Sequence, residues 1–363
     1  MERDGSAFGT RRRNGPKLHL AVMGIAAACI PIALILAPAP AAADEGASCT
    51  AAAPLRIVNL NPFHLPHRPP ASFGACVLAP GASELIASLD IASHFVGAWS
   101  GAERLSIDGE TWRPALALRR GFREGWEYFF ELSSVSHVPG AFDGFIETWH
   151  SVFGLPQGGR DSTPRGRLGI VYARDGARRV DIDRETSSPG DLALGIGHAV
   201  RPNFPANDGL AIRGTVNLPT GSEAVLAGTG GLSVAVWAET SGALFRPGGA
   251  RAWLYGAALG ALAAGPPEAL SGIAAGRFAA FGRFSVTWRA LPRLSLTAQV
   301  DLRSSLYGRS SLAPLAGPII MLGMGGRIEL TPRTTLEIAV VEDDGWRRAA
   351  PDIGLHVAFR WRL

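Results

Sequence analysis

Ile353-Gly354-Leu355-His356-Val357-Ala358-Phe359-Arg360-Trp361-Arg362-Leu363 closes the chain, and its alternation decides the fold. Ile353, Leu355, Val357, Phe359, Trp361 and Leu363 are large and apolar, and Gly354, His356, Ala358, Arg360 and Arg362 stand between them. A period of two marks a strand with one apolar face. About eleven residues rising ~3.3 Å each and tilted ~45° climb roughly 25 Å, the height of the apolar band of an outer-membrane barrel. The stretch predicts the closing strand of an all-β transmembrane antiparallel β-barrel.

The same alternation recurs upstream. After Gly81, Leu85, Ala87, Leu89, Ile91 and Phe95 share one face, while Glu84, Ser88, Asp90 and His94 share the other. A second strand is predicted over 110–120, and a third carries Trp126, Tyr128, Phe130 and Leu132 outward with Glu127 and Glu131 inward. Charges alternating with aromatics suit a wall with lipid outside and polar groups within, not a soluble sandwich. Further strands are read at 191–200, 210–218, 232–239, 251–261, 277–289, 294–303, 319–330 and 334–343. The total is about twelve, or fourteen if a hairpin at 167–183 also crosses. Residues 138–189 are too long for a turn and read as one extracellular loop, in which Phe142, Phe145, Ile146, Trp149 and Phe153 have the spacing of an amphipathic helix.

The 45 Gly and 26 Pro suit short strands and turns. Arg11, Arg12, Arg13 and Lys17 precede an apolar run and the small-residue exit Ala41-Ala42-Ala43, so 1–43 read as a signal peptide that directs the chain across the inner membrane to the outer one. Its removal lowers the net charge of +4 to about +1, which removes the case for nucleic acid. Residues 44–81 form a Pro-rich leader, either periplasmic or threaded into the lumen, and 82–363 form the barrel. Cys49 and Cys76 survive processing, as a disulfide or as two thiols.

Parity assigns the side chains. The inward set holds Arg113, Arg119, Arg213, Arg283, Arg289, Arg303, Arg327, Arg360 and Arg362 against Glu84, Asp90, Glu127, Glu131, Asp301, Glu329 and Glu337, with His356. Trp126, Tyr128, Trp253, Tyr255, Trp288 and Trp361 face outward near the periplasmic ends as an aromatic girdle. Trp237 has the wrong parity for that belt and calls for a bulge or an inward role.

The segments Asn59-Leu60-Asn61-Pro62-Phe63, Asp143-Gly144-Phe145-Ile146-Glu147-Thr148-Trp149-His150 with Phe153-Gly154-Leu155-Pro156, Gly158-Gly159-Arg160-Asp161 and Val340-Val341-Glu342-Asp343 resemble an uncharacterised outer-membrane family catalogued as domain of unknown function 3187. The resemblance covers nearly the whole mature chain and implies a barrel of the porin type. It carries no substrate or catalytic residues.

For chemistry, Asp143, Glu147 and His150 share one face of the loop helix, with His94 and His137 beneath, a weak metal candidate. Ser133, Ser134, Ser136 and His137 lie close in sequence, but alternation splits them between two faces and no orienting acid follows, so an outer-membrane lipid hydrolase is a minor alternative. No cofactor is expected and the chain is read as a non-enzyme. Its expected partners are outer-membrane lipid, the outer-membrane assembly machinery and small polar solutes. The leading expectation is a narrow porin-like channel, and the alternative is a closed structural or ligand-binding barrel with a lid or adhesion loop.

Overall fold

The computed structural model describes residues 51–154, 163–201, 209–245, 252–345 and 347–363, with the side chains of Trp149, His150, Phe153 and Arg201 set aside. The described strands are β1 (Ser83–Ser100), β2 (Glu103–Arg123), β3 (Trp126–Val138), β4 (Gly169–Arg174), β5 (Ala177–Ile182), β6 (Thr186–Pro189), β7 (Leu192–Arg201), β8 (Gly209–Leu218), β9 (Ser233–Phe245), β10 (Ala252–Ala264), β11 (Phe278–Leu291), β12 (Leu294–Arg303), β13 (Ile319–Thr331), β14 (Thr334–Asp343) and β15 (Ile353–Arg362). Two helices accompany them, α1 (Asp143–Phe153) and α2 (Ala313–Ala316). No described helix is long and apolar enough to cross a membrane; the crossing is made by strands.

Twelve strands close a cylinder. β1, β2 and β3 are followed by β7, and from there each strand pairs antiparallel with the next through β15. The final stretch then pairs with the first strand, from Glu84 opposite Arg362 to Ser93 opposite Ile353, and the Leu363 amide donates to the Ser83 carbonyl at 2.9 Å. Closure leaves no unpaired edge in lipid, where an open one is too costly. Leu132, Ile196, Val236, Leu259, Phe284, Leu355 and Phe359 stand exposed on the outer surface, on alternate positions of their strands.

The twelve strands expected make the wall, and the hairpin at 167–183 does not raise them to fourteen. β4 and β5 pair with each other, and β4 pairs with residues 103–108 of β2 above the barrel wall, while β6 pairs with the upper part of β3. Strand β2 also starts seven residues before the expected 110. The reason is an inversion of polarity. Low in the barrel the apolar residues face out, but at the end carrying the long loops Val96, Leu105, Ile107, Ile170 and Tyr172 face in and form a core with Phe63, Leu270, Ile273, Tyr307, Leu312 and Leu315. Outside lipid the hydrophobic effect drives apolar groups inward, as in any soluble fold. The opposite end carries tight turns at 292–293 and 332–333, the latter held by Thr331 and Thr334 hydroxyls 2.7 Å apart.

The described part of the leader lies inside. Residues 51–67 are buried throughout, and nearly all the chain to Ala75 is buried or half-buried. Cys76 is disulfide-bonded, and Cys29 and Cys49, the other two cysteines, lie outside the described residues, as do the signal peptide and its cleavage site.

Candidate functional site in the lumen

Alternation aims one residue in two at the lumen, and the sequence fills those positions with charge. Two ladders of alternating sign result. In the first, Arg360 on β15 donates to Glu84 at 2.9 Å, Arg119 joins Glu84 at 2.9 Å to Glu127 at 2.7 Å, and Arg213 joins Glu127 at 3.0 Å to Glu239. The second begins with Arg327 on Glu337 at 2.6 Å; His356 lies 3.2 Å from Glu337 and 2.6 Å from Asp90, and Arg113 joins Asp90 at 3.2 Å to Glu131. These side chains are almost fully buried, so each charge depends on its neighbours for the solvation it has lost.

The leader closes the second ladder into a ring. The Arg56 amide donates to Glu337 at 2.7 Å, and its guanidinium donates to Glu131 at 3.0 Å, with Arg68 also 3.5 Å from Glu131. Most other polar contacts of the wall address the leader's main chain, while Leu55 and Ile57 pack with Met321, Ala339 and Val341. Arg327 donates to the Ala53 and Pro54 carbonyls, each at 2.7 Å; Gln299 accepts the Leu55 amide at 2.7 Å and donates to the Leu55 carbonyl at 3.2 Å. Arg303 donates to the His64 and His67 carbonyls, Arg213 to those of Gly74 and Cys76, and Glu127 accepts the Leu78 amide. Phe73 packs edge-on against Phe129 at 4.9 Å with the Arg56 and Arg119 guanidiniums over its ring at 4.4 and 4.5 Å.

Two wall glycines make room for this segment. A Cβ on Gly256 would sit 2.5 Å from the Ala52 carbonyl oxygen and 2.6 Å from Pro54, and one on Gly323 would sit 2.3 Å from Ile57 Cδ1. Among the described residues, one cavity of about 30 Å3 lies beside Ile57, Arg68 and Arg283, and another of about 30 Å3 beside Arg68, Phe73 and Glu131. Each has the volume for about one water. A cleft of about 750 Å3 lies elsewhere, between the β4–β5 hairpin and residues 267–273.

The remaining expected lumen residues sit as follows. Arg283 pairs with Asp301 at 3.0 Å, and Arg289 lies 3.6 Å from Glu329 at the turn end, where Arg362 is half-buried. Trp253 and Trp288 stack at 6.1 Å, Trp126 stacks on His198 at 4.3 Å, and Tyr128 and Trp361 are exposed; these five girdle rings and Tyr255 have outward positions toward the turn end. Trp237 is inward and buried against Phe129, 6.2 Å away.

The proposed metal ligands are not brought together. Among the described residues no group of three or more His, Cys, Asp or Glu is placed to hold a metal ion. His94 Nε2 donates to Thr111 Oγ1 at 3.0 Å, that hydroxyl donates to His137 Nδ1 at 3.0 Å, and His137 Nε2 donates to the Val225 carbonyl. Asp143 accepts the Gly166 amide, and Glu147 pairs with Arg165. The His150 side chain lies outside the described residues.

Parity reasoning missed Glu239, which shares the inward face of β9 with Trp237 and could have been found from it. It also missed Gln299, whose inward parity on β12 matches Asp301. The anchors Arg56, Arg68 and Phe73 had no such signal, since the leader has no period.

Closure, an apolar exterior, paired lumen charges and an internal N-terminal segment together define a plugged transmembrane β-barrel. The chain belongs to the family described as protein of unknown function (DUF3187), whose model matches residues 32–363. No curated protein matches it. Similar solved structures include an outer membrane channel from Pseudomonas putida F1 (13% identity, 80% of this chain and 98% of that one, TM-score 0.49). Others are the NanC porin (9% identity, 78% and 100%, TM-score 0.43) and the outer membrane protein Omp33 of Acinetobacter baumannii (11% identity, 78% and 98%, TM-score 0.34).

Proposed function

We propose that this chain is an outer-membrane, porin-like barrel that passes small polar solutes when its N-terminal segment yields, and that is closed while the segment is seated. The observation that carries this reading is the chemistry of the wall behind the segment. Arg113, Arg119, Arg213, Arg327, Glu127, Glu131 and Glu337 would line an aqueous path once the segment moved, whereas a permanently filled barrel needs only apolar packing there. In this arrangement the long loops face outward, the tight turns face the periplasm, the girdle lies among lipid headgroups, and the assembly machinery receives the unfolded chain. No catalytic role is assigned to any residue.

Planar-bilayer recording tests the reading. The wild type is expected to be largely silent, and Gly256→Val with Gly323→Val, which puts methyl groups where Pro54 and Ile57 sit, to show discrete conductance steps. Silence of both, with the segment of the variant shown to be displaced by its protease sensitivity, would favour the second reading. That reading is a closed structural barrel, and the small size of the two cavities beside the seated segment is the observation on its side.

A further inference from the structure

The N-terminal segment is joined to the barrel only through an exposed tether. Ala79, Pro80 and Gly81 are exposed, and β1 begins at Ser83. The described residues N-terminal to the tether, 51–78, are held by contacts of the kind that hold a bound ligand.

The nature of those contacts identifies the ligand. Gln299 reads both the amide and the carbonyl of Leu55, as a neighbouring strand would; Arg327 takes the Ala53 and Pro54 carbonyls, and Glu337 the Arg56 amide. At the far end of the segment Arg213 takes the Gly74 and Cys76 carbonyls. Groups that every peptide carries are thus recognised from residue 53 to residue 76. Two side-chain seats add selectivity: Glu131 for a guanidinium, and Phe129 with the Arg119 guanidinium for an aromatic ring. An arginine is suited to the first seat because its planar fork matches a carboxylate.

We propose that the lumen is a binding site for extended peptides carrying an arginine and an aromatic residue, with residues 51–78 as its resident, tethered occupant. A free peptide of that kind takes the same seat when the tether segment leaves. The inference rests on the reading that the segment is displaceable, and it names the ligand class of the same conduit.

Severing the tether in the folded full-length protein tests this. A protease site is inserted between Ala79 and Pro80, or in a second variant between Gly81 and Ala82, the barrel is folded and checked by its heat-dependent gel mobility, and it is then cut. A fluorescent synthetic peptide with the sequence of residues 44–80 is added. The expected result is exchange: the cut fragment leaves and the labelled peptide is retained, with saturable anisotropy. A peptide with Arg56→Ala and Phe73→Ala should bind about tenfold or more weakly, the scale of losing buried anchors. Polyethylene glycol of equal mass should not compete. A fragment that never exchanges against excess peptide in the cut, folded barrel would overturn the proposal, as would a fragment that leaves while the labelled peptide fails to bind. Bilayer recording of the emptied barrel separates the two readings. Peptide binding without conductance keeps the peptide site and removes the channel, and conductance that the peptide neither binds nor blocks does the reverse.

Discussion

Glu131 is the carboxylate on which barrel and segment meet, since Arg113 reaches it from the wall and Arg56 and Arg68 from the leader. Buried pairs of this kind contribute little beyond a well-packed apolar substitute, but breaking one leaves an uncompensated charge. Arg113→Met leaves Asp90 with His356 and Glu131 with the leader's Arg56 and Arg68, and we expect a loss of up to about 3 kcal/mol. The urea midpoint of the purified protein reads this; an unchanged midpoint contradicts the assigned pairing. A second residue-scale effect concerns pH. Burial, and next the Arg303 guanidinium, push the His64 and His67 imidazoles down to about 3 from 6.5. His64 and His67 also sit against the Tyr307 ring, 5.8 and 5.9 Å between centroids. Both are neutral when seated, whereas a released segment binds protons from pH 6.5 downward. Seating is therefore complete above about pH 6.5 and weakens as pH falls toward 3, by roughly 1.4 kcal/mol per unit for each histidine. Protease sensitivity of the segment should rise between pH 6 and about 4, and His64→Gln with His67→Gln should flatten that rise.

At the scale of elements, the barrel strands could be read because lipid and lumen impose opposite demands on successive residues, a pattern local to each strand. The last strand shows both demands in eleven residues, with Phe359 and Trp361 outward and His356 and Arg360 inward. Residues 103–109 were passed over because Leu105 and Ile107 turn inward there, the reverse of Leu116 and Leu118 lower on the same strand. The leader resisted reading for another reason. Its partners are remote, Arg56 bonding to Glu337 281 positions away, and Pro-rich chain carries no period to reveal what it packs on. The hairpin of β4 and β5 is a cap and not part of the wall, tied down where Tyr172 donates to Glu103 at 2.6 Å and Ser310 donates to the same carboxylate at 3.1 Å. Deleting 169–182 should leave the heat-dependent mobility shift of the barrel in place while raising protease access to the loops; loss of the shift would show that the hairpin is needed for closure.

In the whole molecule, a closed wall of twelve strands surrounds a segment seated by polar contacts and by the apolar packing of residues such as Leu55 and Ile57. The two ladders make the wall nearly self-sufficient in charge, because Glu84, Asp90, Glu127, Glu131, Glu239 and Glu337 each have an arginine of the wall beside them, as Asp301 has. The barrel can therefore lose its segment without leaving a bare carboxylate, which a displaceable plug requires. Amide hydrogen exchange of the intact protein in outer-membrane vesicles reads whether residues 51–78 are seated in the lumen. Peptides from this segment are expected to exchange as slowly as those from β13 and β14, because its amides at Leu55, Arg56 and Leu78 are bonded to the wall and shielded from water. Exchange over 51–78 at the rate of an unstructured chain, with the strands still protected, would contradict it.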